Sequence, residues 1–268
     1  LFAAWPTSPL LPLIFIAWVP LLWLDRHISN GARFFWVSLF NLFIWNISTT
    51  WWIWNASPAR AVGAIVANSG IMCFQLMAFR LTRLRLGNMA GYLSLPLYWI
   101  TFEYIHHNWE LSWPWLTLGN VFSNSPEWVQ WYAITGTTGG TLWVWLLNII
   151  LVQSMFRKPG TRKWPTAFTG LALFIIPIIF SILLTPSPED ASQEATTNVV
   201  VVQPNVEPYT EKFNTPPEVL VQNLLQLSAT QIDSNTRLLV WPETAIPAQA
   251  WEHELQQNDI FQPIFNFL

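Results

Sequence analysis

The chain is short of charge and almost without cysteine. Of its 268 residues only 10% are Asp, Glu, Lys or Arg, while 52% are hydrophobic and 16% aromatic. So little charge excludes an ordinary water-solvated domain and makes lipid the expected solvent. Cys73 is the single cysteine, which excludes an intrachain disulfide and a cysteine metal pair, so the compartment has to be read from topology. No basic patch interleaved with stacking aromatics stands outside the apolar runs, which argues against nucleic acid as a partner. No positively charged segment precedes the first apolar run and the first residue is Leu1, so the start is not an intact secretory signal.

The charge that is present is unevenly divided. Residues 1–185 carry ten basic and four acidic side chains, a net of +6, whereas residues 186–268 carry two basic and eleven acidic, a net of −9. Crossing the roughly 30 Å hydrocarbon core takes about 20 mainly apolar residues in a helix. Six stretches of the first part qualify, at residues 8–24, 34–54, 61–79, 89–105, 128–153 and 164–184. Pro12, Pro20, Pro96 and Pro177 fall in or at the ends of these runs. There they predict kinks and not loops, because neighbouring helices can satisfy the freed carbonyls.

Arg26 and Arg33 follow the first stretch, Arg80, Arg83 and Arg85 the third, and Arg157, Lys158, Arg162 and Lys163 the fifth. The loops of the opposite side hold only Arg60. The excess of basic residues makes the first set of loops cytoplasmic. The sixth span then exits on the far side, placing 186–268 in the periplasm or its equivalent, and Leu1 outside as well, so one more helix is expected upstream. Residues 186–196, rich in Pro, Ser and acid, read as a linker.

A different pattern begins at residue 197. Asn198-Val-Val-Val-Val-Gln and Arg237-Leu-Leu-Val-Trp read as buried strands. Between them, Val219, Leu220, Leu224, Leu227 and Ile232 give an amphipathic helix. This is a βαβ-like opening of an α/β domain. Pro242 closes the second strand with Glu243 just past its carboxyl end, the edge at which open α/β sheets bind ligands. Burial beside Trp241 is expected to tune that carboxylate toward a general base. From position alone a solvated turn glutamate is the simpler reading.

Several separated peptides resemble one family, the bacterial apolipoprotein N-acyltransferases, whose exported domain is similar to the nitrilase fold. Trp241-Pro-Glu-Thr-Ala-Ile-Pro looks like the family peptide with the catalytic glutamate, and Val202-Gln-Pro-Asn-Val like the first strand and turn of its nitrilase-like domain. Trp113-Pro-Trp115-Leu-Thr-Leu-Gly119 resembles an aromatic-proline-Trp loop ahead of a glycine, preceded by Glu103, with Gly136, Gly139 and Asn148 matching small and polar positions of the next helix. The implied fold is a polytopic α-helical membrane domain (1–185) followed by the first portion of an α-β-β-α sandwich (197–268).

The implied reaction moves a fatty acyl chain from a phospholipid donor to the amino group of a lipid-modified apolipoprotein, without metal or organic cofactor, in the bacterial inner membrane. The resemblance makes Glu243 catalytic within a Glu, Lys and Cys triad. After Glu243 the chain has neither lysine nor cysteine, so it reads as a fragment, expected to be inactive and to lack a closing helix. Lys212-Phe213 stands one residue further from the strand than the Lys-Trp pair the family tends to have, making Phe213, with Trp113, Trp115 and Trp241, a candidate substrate contact.

For Trp113 and Trp115, plain anchoring at the membrane surface is the competing role. Trp51, Trp52 and Trp54 read as interfacial belt residues, and Glu103 as a structural hydrogen-bond acceptor within a span. His106 and His107, adjacent on a helix, make a poor metal pair. A membrane-anchored nitrilase-type amidase and a non-catalytic transporter or binding protein are the alternatives; a transporter predicts inverted repeats and paired broken helices, which the sequence does not show.

Overall fold

The computed structural model describes residues 1–6, 8–110, 112–156, 164–185, 197–207 and 210–267. They form two compact units, Leu1–Thr185 and Pro186–Leu268. The expected linker 186–196 and the basic residues 157–163 lie outside the described residues.

The first unit is helical: α1 Val19–His27, α2 Gly31–Thr50, α3 Pro58–Leu86, α4 Asn88–His107, α5 Tyr132–Thr135, α6 Thr137–Met155 and α7 Trp164–Leu184. Among the described residues, α3, α6 and α7 are long and apolar enough to cross a membrane. α7 is the plainest case. Ser181 is its one buried residue, and Phe168, Ile176 and Leu183 are largely exposed, as expected of a helix whose solvent is lipid.

The boundaries follow local chemistry. α2 starts where the Asn30 side chain accepts from Arg33 N at 3.0 Å, an N-cap. α3 starts with Pro58 in its first turn, where the missing N–H is no loss. α3 and α4 meet at Gly87 alone, with φ of 92°, a conformation that glycine adopts without a Cβ penalty.

Three stretches differ from the sequence expectation. Residues 8–24 are not one helix but a 3-10 segment, Leu11–Phe15, followed by α1. Pro12 and Pro20 cannot donate to a continuous ladder. Asn148 of α6 serves the break between them, accepting from Trp18 N at 2.9 Å and donating to Ile14 O at 2.9 Å. Residues 128–153 begin with the 3-10 segment Pro126–Trp128 and short α5, and α6 starts only at Thr137. α3 runs on to Leu86, so Arg80 and Arg83 belong to a helix and not to a loop.

Both arginines turn inward onto Asp25 at the end of α1. Arg80 donates to Asp25 Oδ1 at 2.6 Å, and also to the carbonyls of Asp25, Ile28 and Ser29 at 3.0, 2.6 and 2.9 Å. Arg83 Nε reaches Asp25 Oδ2 at 2.5 Å. Pro96 and Pro177 do lie within continuous helices. Pro177 deprives the Leu173 carbonyl, four residues earlier, of its usual donor, and Trp143 Nε1 of α6 supplies one at 2.7 Å.

The core of this unit is aromatic. Trp18, Trp45, Trp99 and Trp145 are all fully buried or nearly so, and Trp18 touches the other three with ring centroids 5.9, 4.9 and 4.6 Å away. Trp51, Trp52 and Trp54, by contrast, stay exposed in the segment Trp51–Asn55 after α2.

The second unit has β1 Asn198–Val201, α8 Pro217–Ala229, β2 Thr236–Val240 and a short α9 Gln262–Phe267. β1 and β2 pair in parallel with a register irregularity at Asn198/Val199, so the strand–helix–strand order closes into a parallel pair. Val202, Leu220, Val221 and Leu224 are its buried apolar residues. The strands are not buried on both faces as their β-branched runs suggest: Val199, Val201 and Leu238 are exposed. Side chains alternate between faces along a strand, and these three are half or more open, Leu238 lining a cavity with Ile232 and Phe267.

Candidate functional site

In the second unit the strands are parallel, so their carboxyl ends share one edge. The ladder continues past β1 through Val202 N, which donates to Val240 O at 2.9 Å. After each strand one residue takes a left-handed backbone conformation, and after β2 it lies in a turn. Asn205 has φ of 54° after Pro204, and Thr244 has φ of 53° after Glu243; both are uncommon for residues with a side chain.

Glu243 therefore sits on a turn just beyond the sheet. Lys212 Nζ donates to its backbone carbonyl at 3.0 Å, not to its carboxylate. The expected burial beside Trp241 is not met: Glu243 is exposed. The Trp241 indole is half-buried and donates from Nε1 to Ser228 Oγ of α8 at 3.0 Å. The strand ends at Val240 and Pro242 redirects the chain, so the ring and the carboxylate do not continue the alternation of one strand. Phe213, next to Lys212, is 67% exposed.

In the first unit, Trp113 and Trp115 flank the 3-10 segment Pro114–Leu116. Their rings meet at right angles, centroids 5.0 Å apart, and Trp115 meets Trp52 at 5.4 Å. Trp113 is partly buried against the core, while Trp115 is 46% exposed.

Glu103 of α4 organises the segment that follows. Buried at 3% exposure, it accepts from Trp99 Nε1 at 3.0 Å, Leu118 N at 2.8 Å and Thr141 Oγ1 at 2.7 Å. Thr141 in turn accepts from Gly119 N at 3.1 Å, and Tyr132 donates to Gly119 O at 2.8 Å. Gly119 lies so close to the amino end of α6 that a Cβ there would collide with the Thr137 carbonyl. Glu103 thus anchors the loop carrying Trp113 and Trp115, the structural role its place in an apolar helix predicts. His107 Nε2 bonds Thr117 Oγ1 at 2.7 Å, and His106 stacks on Phe102. Cys73 is buried, with Sγ against the Phe35 carbonyl at 3.7 Å.

The sequence-predicted residues thus fall into two groups, Trp113 and Trp115 in the first unit and Phe213, Trp241 and Glu243 in the second. The Lys212 link to Glu243 and the Asp25 cluster were not foreseen. For the second a signal existed: Asp25 is the only acidic residue before Glu103, in a unit whose arginines outnumber acids.

A lipid-facing helical unit followed in sequence by a parallel α/β unit defines a membrane protein with a separate domain after its helices. The model of one family, described as the apolipoprotein N-acyltransferase N-terminal domain, matches residues 1–150. The chain belongs to the apolipoprotein N-acyltransferase family. It is 26% identical over 248 residues to the apolipoprotein N-acyltransferase of Chlorobaculum tepidum, covering 92% of this chain and 46% of that protein. To the enzyme of the same name from Coxiella burnetii it is 26% identical over 178 residues, 66% of this chain and 35% of that one. The chain thus spans less than half the length of these curated relatives. No solved structure matches.

Proposed function

We propose that the whole protein transfers a fatty acyl chain from a phospholipid to the N-terminal amine of a diacylglyceryl-cysteine apolipoprotein through a thioester acyl-enzyme. Glu243 as general base takes the proton of a cysteine thiol, whose sulfur attacks the phospholipid ester; a lysine stabilises the oxyanion, and the lysophospholipid leaves as the alcohol with that proton. The α-amine of the lipoprotein then attacks the thioester. The lysine and cysteine belong to sequence outside this chain. The helices of the first unit lie in the inner membrane, with the nitrilase-like second unit on the periplasmic side. Trp113, Trp115, Phe213 and Trp241 are proposed to contact the lipid substrates.

The observation that carries this reading is the position of Glu243, just past the carboxyl end of β2 in a parallel strand–helix–strand unit. Family membership favours acyl transfer to a lipoprotein over hydrolysis of a small amide by an amidase. Glu243→Gln in the full-length protein should abolish formation of the thioester from a labelled phospholipid while leaving membrane insertion intact. Undiminished thioester would sink the assignment.

A further inference from the structure

A cavity of about 580 Å³ opens between the end of α1, the start of α4 and the end of α6. Its lining is graded along the helices. Arg26, Asn88 and Gln153 stand at the helix ends, and Leu93, Pro96 and Ile149 lie one to two turns deeper. The depth suits a hydrocarbon chain and the mouth suits a polar head.

The charge at the mouth is positive. Arg26 lies over the Phe156 ring, 4.4 Å from its centroid. It has no carboxylate partner among the described residues, because the neighbouring Asp25 is taken by Arg80 and Arg83. The first turn of α4 has no side-chain cap, and the free N–H groups of a helix start favour an anion. Tyr92, 3% exposed and lining the same cavity, has a buried hydroxyl that faces Arg26 and makes no hydrogen bond of standard geometry among the described residues. It stands one turn into α4, between the polar mouth and the apolar depth.

From this grading we infer that the cavity is a binding site for an anionic phospholipid. The phosphate sits at Arg26 and the start of α4, Tyr92 donates to a phosphate or ester oxygen, and one acyl chain lies along Leu93, Pro96 and Ile149. Basic pockets between membrane helices recognise anionic head groups in this way. The assignment of this end to the cytoplasmic leaflet rests on the topology proposed above. On that topology the site is on the opposite face from Glu243, and its occupant is a bound lipid of the fold and not the acyl donor.

The test is native mass spectrometry of the full-length protein with dioleoyl phosphatidylglycerol or dioleoyl phosphatidylcholine. Wild type should retain the anionic lipid about fivefold better, the preference that one basic residue provides near a membrane surface. Arg26→Gln should erase that preference and Arg26→Lys should keep most of it. Leu93→Trp, which fills the depth and leaves the charge, should lower retention of both lipids. An excess of glycerol 3-phosphate should displace neither. Equal retention by wild type, an undiminished preference in Arg26→Gln, unaltered retention in Leu93→Trp, or displacement by glycerol 3-phosphate would each overturn the proposal. Retention is read without turnover, so a failure of the thioester experiment on Glu243 leaves this result standing.

Discussion

Replacing Asp25 with alanine removes the one carboxylate that two buried guanidinium groups share. The Arg80 and Arg83 side chains are 4% and 10% exposed, and Asp25 is wholly buried. The two losses are unequal. Arg80 keeps three backbone carbonyls as acceptors, those of residues 25, 28 and 29, whereas Arg83 is left with the Asp25 carbonyl at 3.2 Å. Stranding one partner of a buried ion pair costs about 3–5 kcal/mol, and the carbonyls on Arg80 put the expected loss toward the lower end, about 3 kcal/mol. For a unit of this size that corresponds to a Tm lower by roughly 10 °C.

The assay is thermal unfolding of the purified protein in detergent, followed by intrinsic tryptophan fluorescence, because the buried tryptophan cluster reports on this unit. The combined variant Asp25→Leu, Arg80→Met, Arg83→Met removes the three charges of the cluster and should recover part of the loss, since apolar groups replace buried ion pairs at little cost while the carbonyls of residues 25, 28 and 29 lose the Arg80 donor. A Tm for Asp25→Ala within about 2 °C of wild type, or a triple variant less stable than the single one, would refute the reasoning.

Trp143→Phe should destabilise by about 1–3 kcal/mol because it leaves the Leu173 carbonyl without a donor; in a Pro177→Ala background, where the helix can supply that donor itself, a double-mutant cycle of unfolding free energies should show the cost largely gone. Gly119→Ala should destabilise the unit by about 2 kcal/mol or more and lower its Tm, since the added methyl meets the Thr137 backbone and not a movable side chain; a variant as stable as wild type would show that the loop is not seated against α6. Asp233 accepts from Thr236 Oγ1 at 2.9 Å and from Asn235 N and Asn198 Nδ2, and its carboxyl lies below the ordinary range, with the Thr236 bond as the first cause. A depressed carboxylate contributes stability that is complete above its unfolded pKa and is lost as pH falls through the lower folded value. Protection factors at the start of β2, taken relative to the intrinsic exchange rate at each pH, should therefore fall on acidification in wild type, and in Asp233→Asn the fall should flatten.

How far the sequence could be read depended on whether the decisive interaction was local or remote. The apolar run of α7 announces a membrane helix by itself, because every residue of a lipid-facing helix meets the same solvent. Gly87 and Pro58 mark helix boundaries through backbone conformation alone. The parallel pairing of β1 and β2 follows from a strand, a helix and a strand in that order, since a helical connection returns the chain in the same direction. Residues 8–24 were less legible: apolar composition predicts a span, but whether Pro12 and Pro20 kink a helix or end it depends on what receives the freed backbone groups. Asn148, more than 120 residues away, decides that.

At the candidate site, sequence pattern located Glu243 after a strand and ahead of a turn but could not give its surroundings. Its exposure, the Lys212 bond to its carbonyl and the turning of Trp241 onto Ser228 depend on groups from α8 and from the segment before it. Among the nineteen tryptophans, those near helix ends are recognisable as interfacial from position alone, while the four in the core look no different in the chain. Composition and periodicity determined the solvent, the helices and the order of the two units, because those follow from each residue's own hydrophobicity and backbone preference. Only the tertiary structure decided which buried polar groups meet, as Asp25 with two arginines, Glu103 with Leu118 and Thr141, and Trp143 with Leu173. In a medium with no water to substitute, each such group has to find its partner across the fold, and that partner is a property of the packing and not of the neighbouring sequence.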